Sequence, residues 1–383
     1  MSVSYAPSEF KIKLSCQIKL KRITVMKSDS VLNIDGVKIG PGHLTYFIAD
    51  IAANHDGDLS RAKDLIYLAA EAGADAAKFQ HFQAKSIVSD KGFRDMGGKQ
   101  SHQSSWNKSV SDVYKAASVS LNWTEELKNT CKDAGIPFFT TPYSLEVIDQ
   151  LDAYVPAYKI GSGDITWRDM VEKVAQQNKP YFLACGASTM DEVVRAVSWA
   201  LEINPKFGLM QCNTNYTAEL ENFNYIHLNV LKTLREMYPS MVLGLSDHTP
   251  QHSTVLGAVA LGASMIEKHF TDDVTREGPD HKFSMDLVTW RDMVDRTREL
   301  ELSMGFGVKK VEANEVETVV VQRRSLRAVG DFKVGHTIKP GDFAPLRPCP
   351  SDAISPEYSQ IIIGSTLSKD VDEGDYLRER DLN

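Results

Sequence analysis

The sequence has 383 residues, with 43 lysines and arginines against 51 aspartates and glutamates, so its formal net charge is −8 at pH 7. This length suffices for one large domain and a small second domain. The negative charge argues against a general nucleic-acid or membrane-binding surface. The five cysteines are scattered without a C-x-x-C pair. Cysteine usage therefore argues against a disulfide framework and favours a reducing, cytoplasmic location.

Along the chain, a basic start gives way to alternating strands and helices. Residues 1–30 lack the apolar core of a secretory signal, so we expect a flexible extension. Residues 31–39 alternate around Asp35-Gly36 and predict a small hairpin that could close the bottom of a barrel. Short apolar segments then predict strands at 46–52, 76–79, 137–141, 157–160, 181–184, 208–211, 242–245 and 265–268. Amphipathic patterns between them, such as 60–72, 123–134, 190–201 and 253–260, predict helices. The alternation predicts an α/β fold, a (β/α)₈ TIM barrel over residues 31–307.

Two regions depart from this alternation. Residues 83–121 are too long for a simple connection and suit a lid or a subunit contact. After the last helix, residues 308–320 are charged and predict a linker. Residues 321–383 contain short apolar pieces punctuated by Gly and Pro, which predict a small irregular β domain.

Two histidines follow neighbouring predicted strands. His248 ends Gly-Leu-Ser-Asp-His-Thr, and His269 lies in Ile-Glu-Lys-His-Phe one helix–strand unit later. In a parallel barrel both side chains would lie at the carboxyl ends of strands, where such barrels place their chemistry. Two imidazoles there suit a borderline divalent metal. The alternative is a hydrogen-bonded histidine pair at the rim.

Other polar side chains come to the same predicted edge. Lys78 and Lys159, with Ser162, Ser246 and the amides of residues 161–163, could form a cradle for a phosphate or carboxylate. Asp50 and Asp164 could act as acid or base beside a metal. Asn213 and Asn215 follow the sixth strand and complete the polar set.

The motifs together resemble a known family, the sialic acid synthases, which include legionaminate and pseudaminate synthases. The resemblance runs from residue 31 to the carboxyl terminus. Its barrel motifs are Ala-Asn-His-Asp-Gly (53–57), Lys-Phe-Gln (78–80), Tyr-Lys-Ile-Gly-Ser-Gly (158–163), the two histidine motifs and Gly-Pro-Asp-His (278–281). Residues 323–326, 331–335 and 346–348 look like the family's antifreeze-like (SAF) domain. The resemblance implies a TIM barrel followed by that domain.

It also implies a reaction, in which phosphoenolpyruvate condenses with an N-acylated amino sugar aldehyde to give a nine-carbon 2-keto acid and phosphate. Carried over, His248 and His269 would bind a divalent metal, manganese first, with magnesium or cobalt as alternatives. Arg347 would contact the N-acyl group of the sugar from the second subunit of a domain-swapped homodimer, with no nucleic-acid or membrane partner. The resemblance assigns phosphoenolpyruvate to Lys78, Thr141, Lys159, Ser162, Asn213 and Ser246, and the sugar to Gln80, Tyr216, Asp280 and Arg347. Asn215 joins the substrate-binding set as a strand-end residue.

The chain departs from the family pattern at several positions. Asp50 and Asp164 stand where the family usually has Glu, and each is one carbon, roughly 1.5 Å, shorter. Cys185-Gly186-Ala187 and Thr217 are further departures. Two alternatives therefore stay open: a synthase for a shorter 3-deoxy-2-keto sugar acid, and a non-catalytic carbohydrate-binding relic of the barrel.

Overall fold

The computed structural model describes residues 29–96, 103 and 106–383, so nearly all of the predicted basic extension lies outside the described residues. The described chain divides into two compact units, the first ending at Met304 and the second spanning Gly305–Asn383. No helix in these ranges is long and apolar enough to cross a bilayer.

The first unit is a closed barrel of eight parallel strands, in which strands consecutive in sequence are neighbours and the last strand pairs with the first. This confirms the predicted (β/α)₈ fold. The barrel strands are β3 (Tyr46–Asp50), β4 (Ala76–His81), β5 (Phe138–Pro142), β6 (Tyr158–Ile160), β7 (Tyr181–Ala184), β8 (Phe207–Cys212), β9 (Val242–Asp247) and β10 (Met265–His269). β3 is two residues shorter than predicted, because the chain turns at Ala52, which has φ +45°.

Eight helices follow the strands and surround the barrel. They are α1 (Leu59–Glu71), α5 (Thr124–Asp133), α6 (Leu145–Leu151), α7 (Arg168–Gln176), α8 (Met190–Ile203), α9 (Val230–Met237), α10 (Ser253–Ala260) and α11 (Leu287–Met304). In α1 the Asp58 side chain accepts hydrogen bonds from two backbone amides of the first turn, and Gly73, with φ +93°, lies just beyond the carboxyl end. These are the start and stop signals of a short amphipathic helix.

The long segment after β4 is not an open loop. Its described part contains α2 (Ala84–Ile87), α3 (Asp90–Asp95) and α4 (Val110–Ala117). Ser109 caps α4 through a hydrogen bond from the amide of Asp112, and Val110 and Ala117 are its buried residues. Part of this segment, including Gly97, Gly98, Lys99, Gln100 and His102, lies outside the described residues.

Apolar residues fill the lower half of the barrel. The predicted hairpin is present as β1 (Leu32–Ile34) and β2 (Val37–Ile39), and Leu32, Ile34 and Ile39 pack in one cluster with Tyr46 and Met265. Gly244 in the adjacent strand β9 and Gly208 in β8, one strand further on, make room for Met265. A Cβ at Gly208 would lie 2.3 Å from the Met265 Cε, and one at Gly244 would lie 2.4 Å from its Cγ. With its lower half closed in this way, the barrel has room for a site only at the opposite end.

The second unit begins with helix α12 (Val316–Gln322), which lies across the boundary predicted between linker and small domain. Strands β11 (Ser325–Ala328) and β12 (Phe343–Leu346) then pair antiparallel. Leu326, Ile338, Leu367 and Leu377 are among the residues of a separate small core. The short pieces predicted from the sequence therefore fold around a core of their own.

Candidate active site

A pocket opens at the carboxyl ends of the barrel strands. Most of the residues expected there line it: Asp50, Lys78, Gln80, Thr141, Lys159, Ser162, Tyr216, Ser246, His248 and His269. These side chains come from different strands and strand-end loops, and they converge because parallel strands end at one face of the barrel.

The floor of the pocket carries two buried lysines with two buried carboxylates. The Lys78 Nζ lies 2.6 Å from the Asp50 Oδ2 and 3.6 Å from the Glu267 Oε1, and the Lys159 Nζ lies 2.8 Å from the same Glu267 oxygen. Burial alone would lower the pKa of Lys78, but the carboxylates of Asp50 and Glu267 raise it above its ordinary value. Lys78 therefore stays charged, and these four side chains have no net charge.

Glu267 is a site residue that the sequence prediction left out. Its Oε2 is buried without a hydrogen-bond partner, while its Oε1 accepts from Lys159. Strand alternation could have found it, because residues two apart on a strand face the same side. Glu267 therefore shares the pocket face with His269, whereas Lys268 faces away and pairs with Asp247 at 2.5 Å. Gly161, expected as part of the amide cradle, also lines the pocket, as do Tyr143, Ala184 and Cys212, which were not predicted.

The two histidines are neighbours, as the strand order predicts, with ring centroids 5.3 Å apart. The Nδ1 of His248 lies 2.7 Å from the Asn213 carbonyl oxygen, so the proton on Nδ1 is donated there and Nε2 keeps its lone pair. Burial lowers the pKa of His248 and lowers that of His269 well below its usual value. Both rings are therefore neutral, as metal ligands must be.

The donor set fits a divalent cation. The Nδ1 of His269 is buried without a hydrogen-bond partner, and such an orphaned nitrogen is suited to a missing ligand. Within the described ranges, no group of three or more His, Cys, Asp or Glu side chains is arranged to hold a metal. His248 and His269 would hold the ion, with the remaining positions left to water and substrate.

Five expected residues do not line this pocket. The Asn213 side-chain amide donates to the Tyr225 carbonyl at 3.1 Å, and the exposed Asn215 pairs with Asn222 at 3.3 Å. Asp280 lies at the rim, where its Oδ2 accepts from the Ala53 amide at 3.1 Å and lies 3.7 Å from the His269 Nδ1. Arg347 belongs to the second unit, where its Nε donates to the Gln322 carbonyl. Asp164 lies beside the pocket rather than in its lining.

The expected amide cradle also differs in detail. The Ser162 hydroxyl accepts a hydrogen bond from the Gly186 amide at 2.9 Å, which links the loop after β6 to the loop after β7. A Cβ at Gly186 would lie 2.9 Å from the Ser162 Oγ and 2.6 Å from a Thr214 methyl carbon. Only glycine lets the backbone at residue 186 pack this closely against Ser162 and Thr214. Residues 185–187 depart from the family pattern, yet they form a tightly packed side of the pocket.

Asp164 leads to a prediction about stability and pH. Its Oδ2 is buried without a partner, and burial raises its pKa to about 6 from an ordinary 3.8. The native state therefore binds the proton of Asp164 more tightly than the unfolded state does. The contribution of this carboxyl group to the free energy of unfolding is complete below about pH 4 and is lost as the pH rises through about 6. Relative to the wild type, Asp164→Asn should gain about 2–3 kcal/mol in free energy of unfolding between pH 4 and pH 7.

Urea unfolding of the two proteins across this pH range measures the difference. Asp133→Asn, on the exposed face at the end of α5, is the matched control and should show no such trend. A difference between Asp164→Asn and the wild type that stays constant with pH would contradict the prediction.

The barrel and its charged, histidine-bearing pocket define an enzyme of the TIM-barrel class. The sequence model of the NeuB family matches residues 65–309. The chain is 33% identical to the N,N'-diacetyllegionaminic acid synthase of Campylobacter jejuni over 88% of this chain and 99% of that protein. It is also 33% identical to a pseudaminic acid synthase from that species, over 88% of this chain and 96% of the relative.

A solved structure agrees with these matches. The N-acetylneuraminic acid synthetase of Leptospira borgpetersenii, in complex with citrate, superimposes with a TM-score of 0.67 at 27% identity, covering 76% of this chain and 96% of that one. The chain belongs to the NeuB family. This confirms the family inferred from the motifs.

Proposed function

We propose that this protein is a nonulosonic acid synthase, which condenses phosphoenolpyruvate with an N-acylated amino sugar aldehyde and water to give a nine-carbon 2-keto acid and phosphate. The observation that carries the proposal is the combination, in one pocket, of two buried lysines with two neutral, neighbouring histidines. The names of the relatives support the same substrate class.

The lysines suit the binding of phosphoenolpyruvate. Lys78 and Lys159 present ammonium groups at the floor of the pocket, with the hydroxyls of Thr141, Ser162 and Ser246 around them. Charge-assisted hydrogen bonds from such groups hold phosphate and carboxylate oxygens. Because Asp50 and Glu267 already balance the lysines, a bound trianion needs further positive charge. A divalent cation on His248 and His269 would supply it, and we propose manganese for this ion.

The bond changes follow from this arrangement. The C3 of phosphoenolpyruvate attacks the aldehyde carbon, water adds at C2, and the C2–O bond to phosphate breaks to leave the keto group. When bound, the metal would polarise the aldehyde oxygen as a Lewis acid. The Oε2 of Glu267, which is buried without a hydrogen-bond partner, is proposed to accept a proton from the attacking water. Gln80, Tyr216 and Asp280 are proposed to hold the sugar.

The second unit carries a further part of this proposal. Arg347 is exposed in the turn after β12 and is proposed to reach the sugar in the barrel of a second subunit of a homodimer. Residues 321–383 would then serve as the family's antifreeze-like domain. Sedimentation of the full chain measures the number of subunits, and a monomer at working concentrations would exclude this arrangement.

Isotope labelling tests the reaction. With phosphoenolpyruvate that carries ¹⁸O in the bridge between C2 and phosphorus, all of the label should appear in the released phosphate. Release should require a sugar, and a panel of N-acetylmannosamine, diacetamido-trideoxyhexoses, their phosphorylated forms and shorter aldoses identifies which one. Label retained in the keto acid would contradict the proposed C–O cleavage. Turnover of the shorter sugars alone would favour the shorter-acid synthase, and no phosphate release would favour a non-catalytic protein.

A further inference from the structure

A buried ion pair lies behind the two histidines, on the side of strands β9 and β10 that faces away from the pocket. The Lys268 Nζ lies 2.5 Å from the Asp247 Oδ2, and both side chains are only 1% exposed. Each partner immediately precedes one of the histidines in the chain, Asp247 before His248 and Lys268 before His269. Neither Asp247 nor Lys268 lines the pocket, so any effect of the pair on the site must pass through its neighbours.

The backbone at His248 is not held directly by the sheet. In the pairing of β9 with β10 the last matched residues are Asp247 and Lys268, and the pairing of β9 with β8 ends one residue earlier. His248 therefore lies one residue beyond the last paired position of its strand, whereas His269 is matched with Asp50 of β3. Other contacts must fix the direction in which the His248 ring points.

Lys268 supplies such contacts on both sides of His248. Its Nζ donates to the carboxylate of Asp247, the residue before His248, and to the backbone carbonyl of Thr249, the residue after it. The Thr249 amide donates to the Asp247 Oδ1 at 3.2 Å, which closes an Asx turn around His248. The hydroxyls of Thr249 and Thr254 donate to the Asp247 Oδ2 at 2.8 and 2.7 Å, and Thr254 belongs to the first turn of α10. We call Asp247, Thr249, Thr254 and Lys268 the clamp.

Stability alone does not account for a charged clamp. Removing two charges from water costs so much free energy that a buried ion pair is seldom more stabilising than apolar side chains of similar size. The pair does provide direction, because the ammonium group and the carboxylate make all of these hydrogen bonds in one arrangement of the chain. The clamp therefore fixes the path of residues 247–249, and with it the direction of the His248 ring relative to His269.

On this basis, and resting on the metal site of the proposed function, we propose that Lys268 and Asp247 are positioning residues for a divalent cation and act on His248 through the backbone of residues 247–249. His248 and His269 would hold the ion, and the clamp keeps their rings at the observed centroid separation of 5.3 Å. The residues of the clamp contact neither the ion nor the substrates.

Mn²⁺ binding to the full chain, followed by electron paramagnetic resonance, tests this role. Lys268→Met should weaken Mn²⁺ binding by about 10–100-fold, as does the loss of other residues that orient a metal ligand. It should also lower the stability towards urea, because the buried Asp247 carboxylate loses its cation. Saturating Mn²⁺ should restore most of kcat, since the clamp contacts no substrate.

A double variant separates positioning from stability, and it also serves if Lys268→Met does not fold. In Lys268→Met, Asp247→Asn no uncompensated charge remains, so the stability towards urea should largely return. Mn²⁺ binding should stay weak, because the contact between residue 268 and the Thr249 carbonyl is still missing.

Leu151→Ala is the matched control for lost stability. Leu151 is fully buried in α6, which lies between β5 and β6 on the side of the barrel opposite β9 and β10. The cavity left by this change should lower the stability towards urea, and Mn²⁺ binding should stay as in the wild type.

The outcomes separate this role from the proposed function. Unchanged Mn²⁺ binding in Lys268→Met, recovery of Mn²⁺ binding together with stability in the double variant, or an equal loss of binding in Leu151→Ala would overturn the positioning role while the synthase activity stood. A wild type that binds no Mn²⁺ would overturn the metal site and this role with it. If the clamp variants weaken Mn²⁺ binding as expected but the wild type turns over no sugar of the panel, the proposed function fails and the role of the clamp stands.

Discussion

Replacing His269 by alanine is expected to reduce turnover more than about 100-fold, because loss of a metal ligand costs at least as much as loss of the side chains that orient one. The same loss is expected for His248→Ala. Neither change should destabilise the barrel as a broken buried ion pair would, because the His269 Nδ1 makes no hydrogen bond and the His248 Nδ1 bonds only a backbone carbonyl. Phosphate release measures turnover, and electron paramagnetic resonance of Mn²⁺ counts the bound ions.

A third histidine supplies the control. His252 lies in the next turn of chain, half-buried, with its Nδ1 3.1 Å from the Asp292 carboxylate, and His252→Ala should retain both activity and bound Mn²⁺. A chelator should inactivate the wild type, and Mn²⁺ should restore it. Full activity after exhaustive chelation, or unchanged metal binding in His269→Ala, would refute the metal site.

The second large effect concerns Lys159. In Lys159→Met the Glu267 carboxylate loses its nearest buried cation, and breaking such a pair costs about 3–5 kcal/mol in free energy of unfolding. The double variant Lys159→Met, Glu267→Gln should recover most of this loss, because no uncompensated carboxylate remains. Phosphoenolpyruvate binding should stay at least tenfold weaker in both variants, since a charge-assisted contact is worth about 1.5–3 kcal/mol.

Urea unfolding and the dissociation constant of phosphoenolpyruvate, measured by titration calorimetry, separate the two roles of this lysine. Lys63→Met removes an exposed pair with Glu126 of the same short length and should leave both quantities unchanged. If the double variant binds phosphoenolpyruvate like the wild type, Lys159 only balances Glu267 and does not hold the substrate.

Much of the fold and the floor of the site follow from local patterns. Strand periodicity and the residues at strand ends predicted the barrel and placed Lys78, Lys159 and both histidines at one face. The same periodicity, applied one step further, would have included Glu267. The start of α4 could also be predicted from the sequence, because Ser109 and Asp112 have the spacing of an N-cap residue and its partner in the first turn.

The differences between the expected and the observed pocket lining concern the path of the chain after a strand ends. Asn213 and Asn215 follow β8 as a pocket residue would, yet their amides pair with the segment around residues 222–225, which folds back beside them. No spacing pattern in the sequence predicts that residues 222–225 fold back beside Asn213 and Asn215. The aromatic contacts of the pocket residue Tyr143 were missed for a related reason, since Phe82, Tyr114 and Tyr143 are far apart in sequence and meet only because α4 packs on the turn after β3.

The contact of Met265 with Gly208 and Gly244 makes the composition of three neighbouring strands interdependent. A larger residue at either glycine must displace the methionine, and a smaller residue at position 265 would leave a void lined by bare backbone. Substitutions at these positions are therefore tolerated only in combination. In relatives of this protein the three residues should change together or not at all, because together they determine the space inside the barrel at this level.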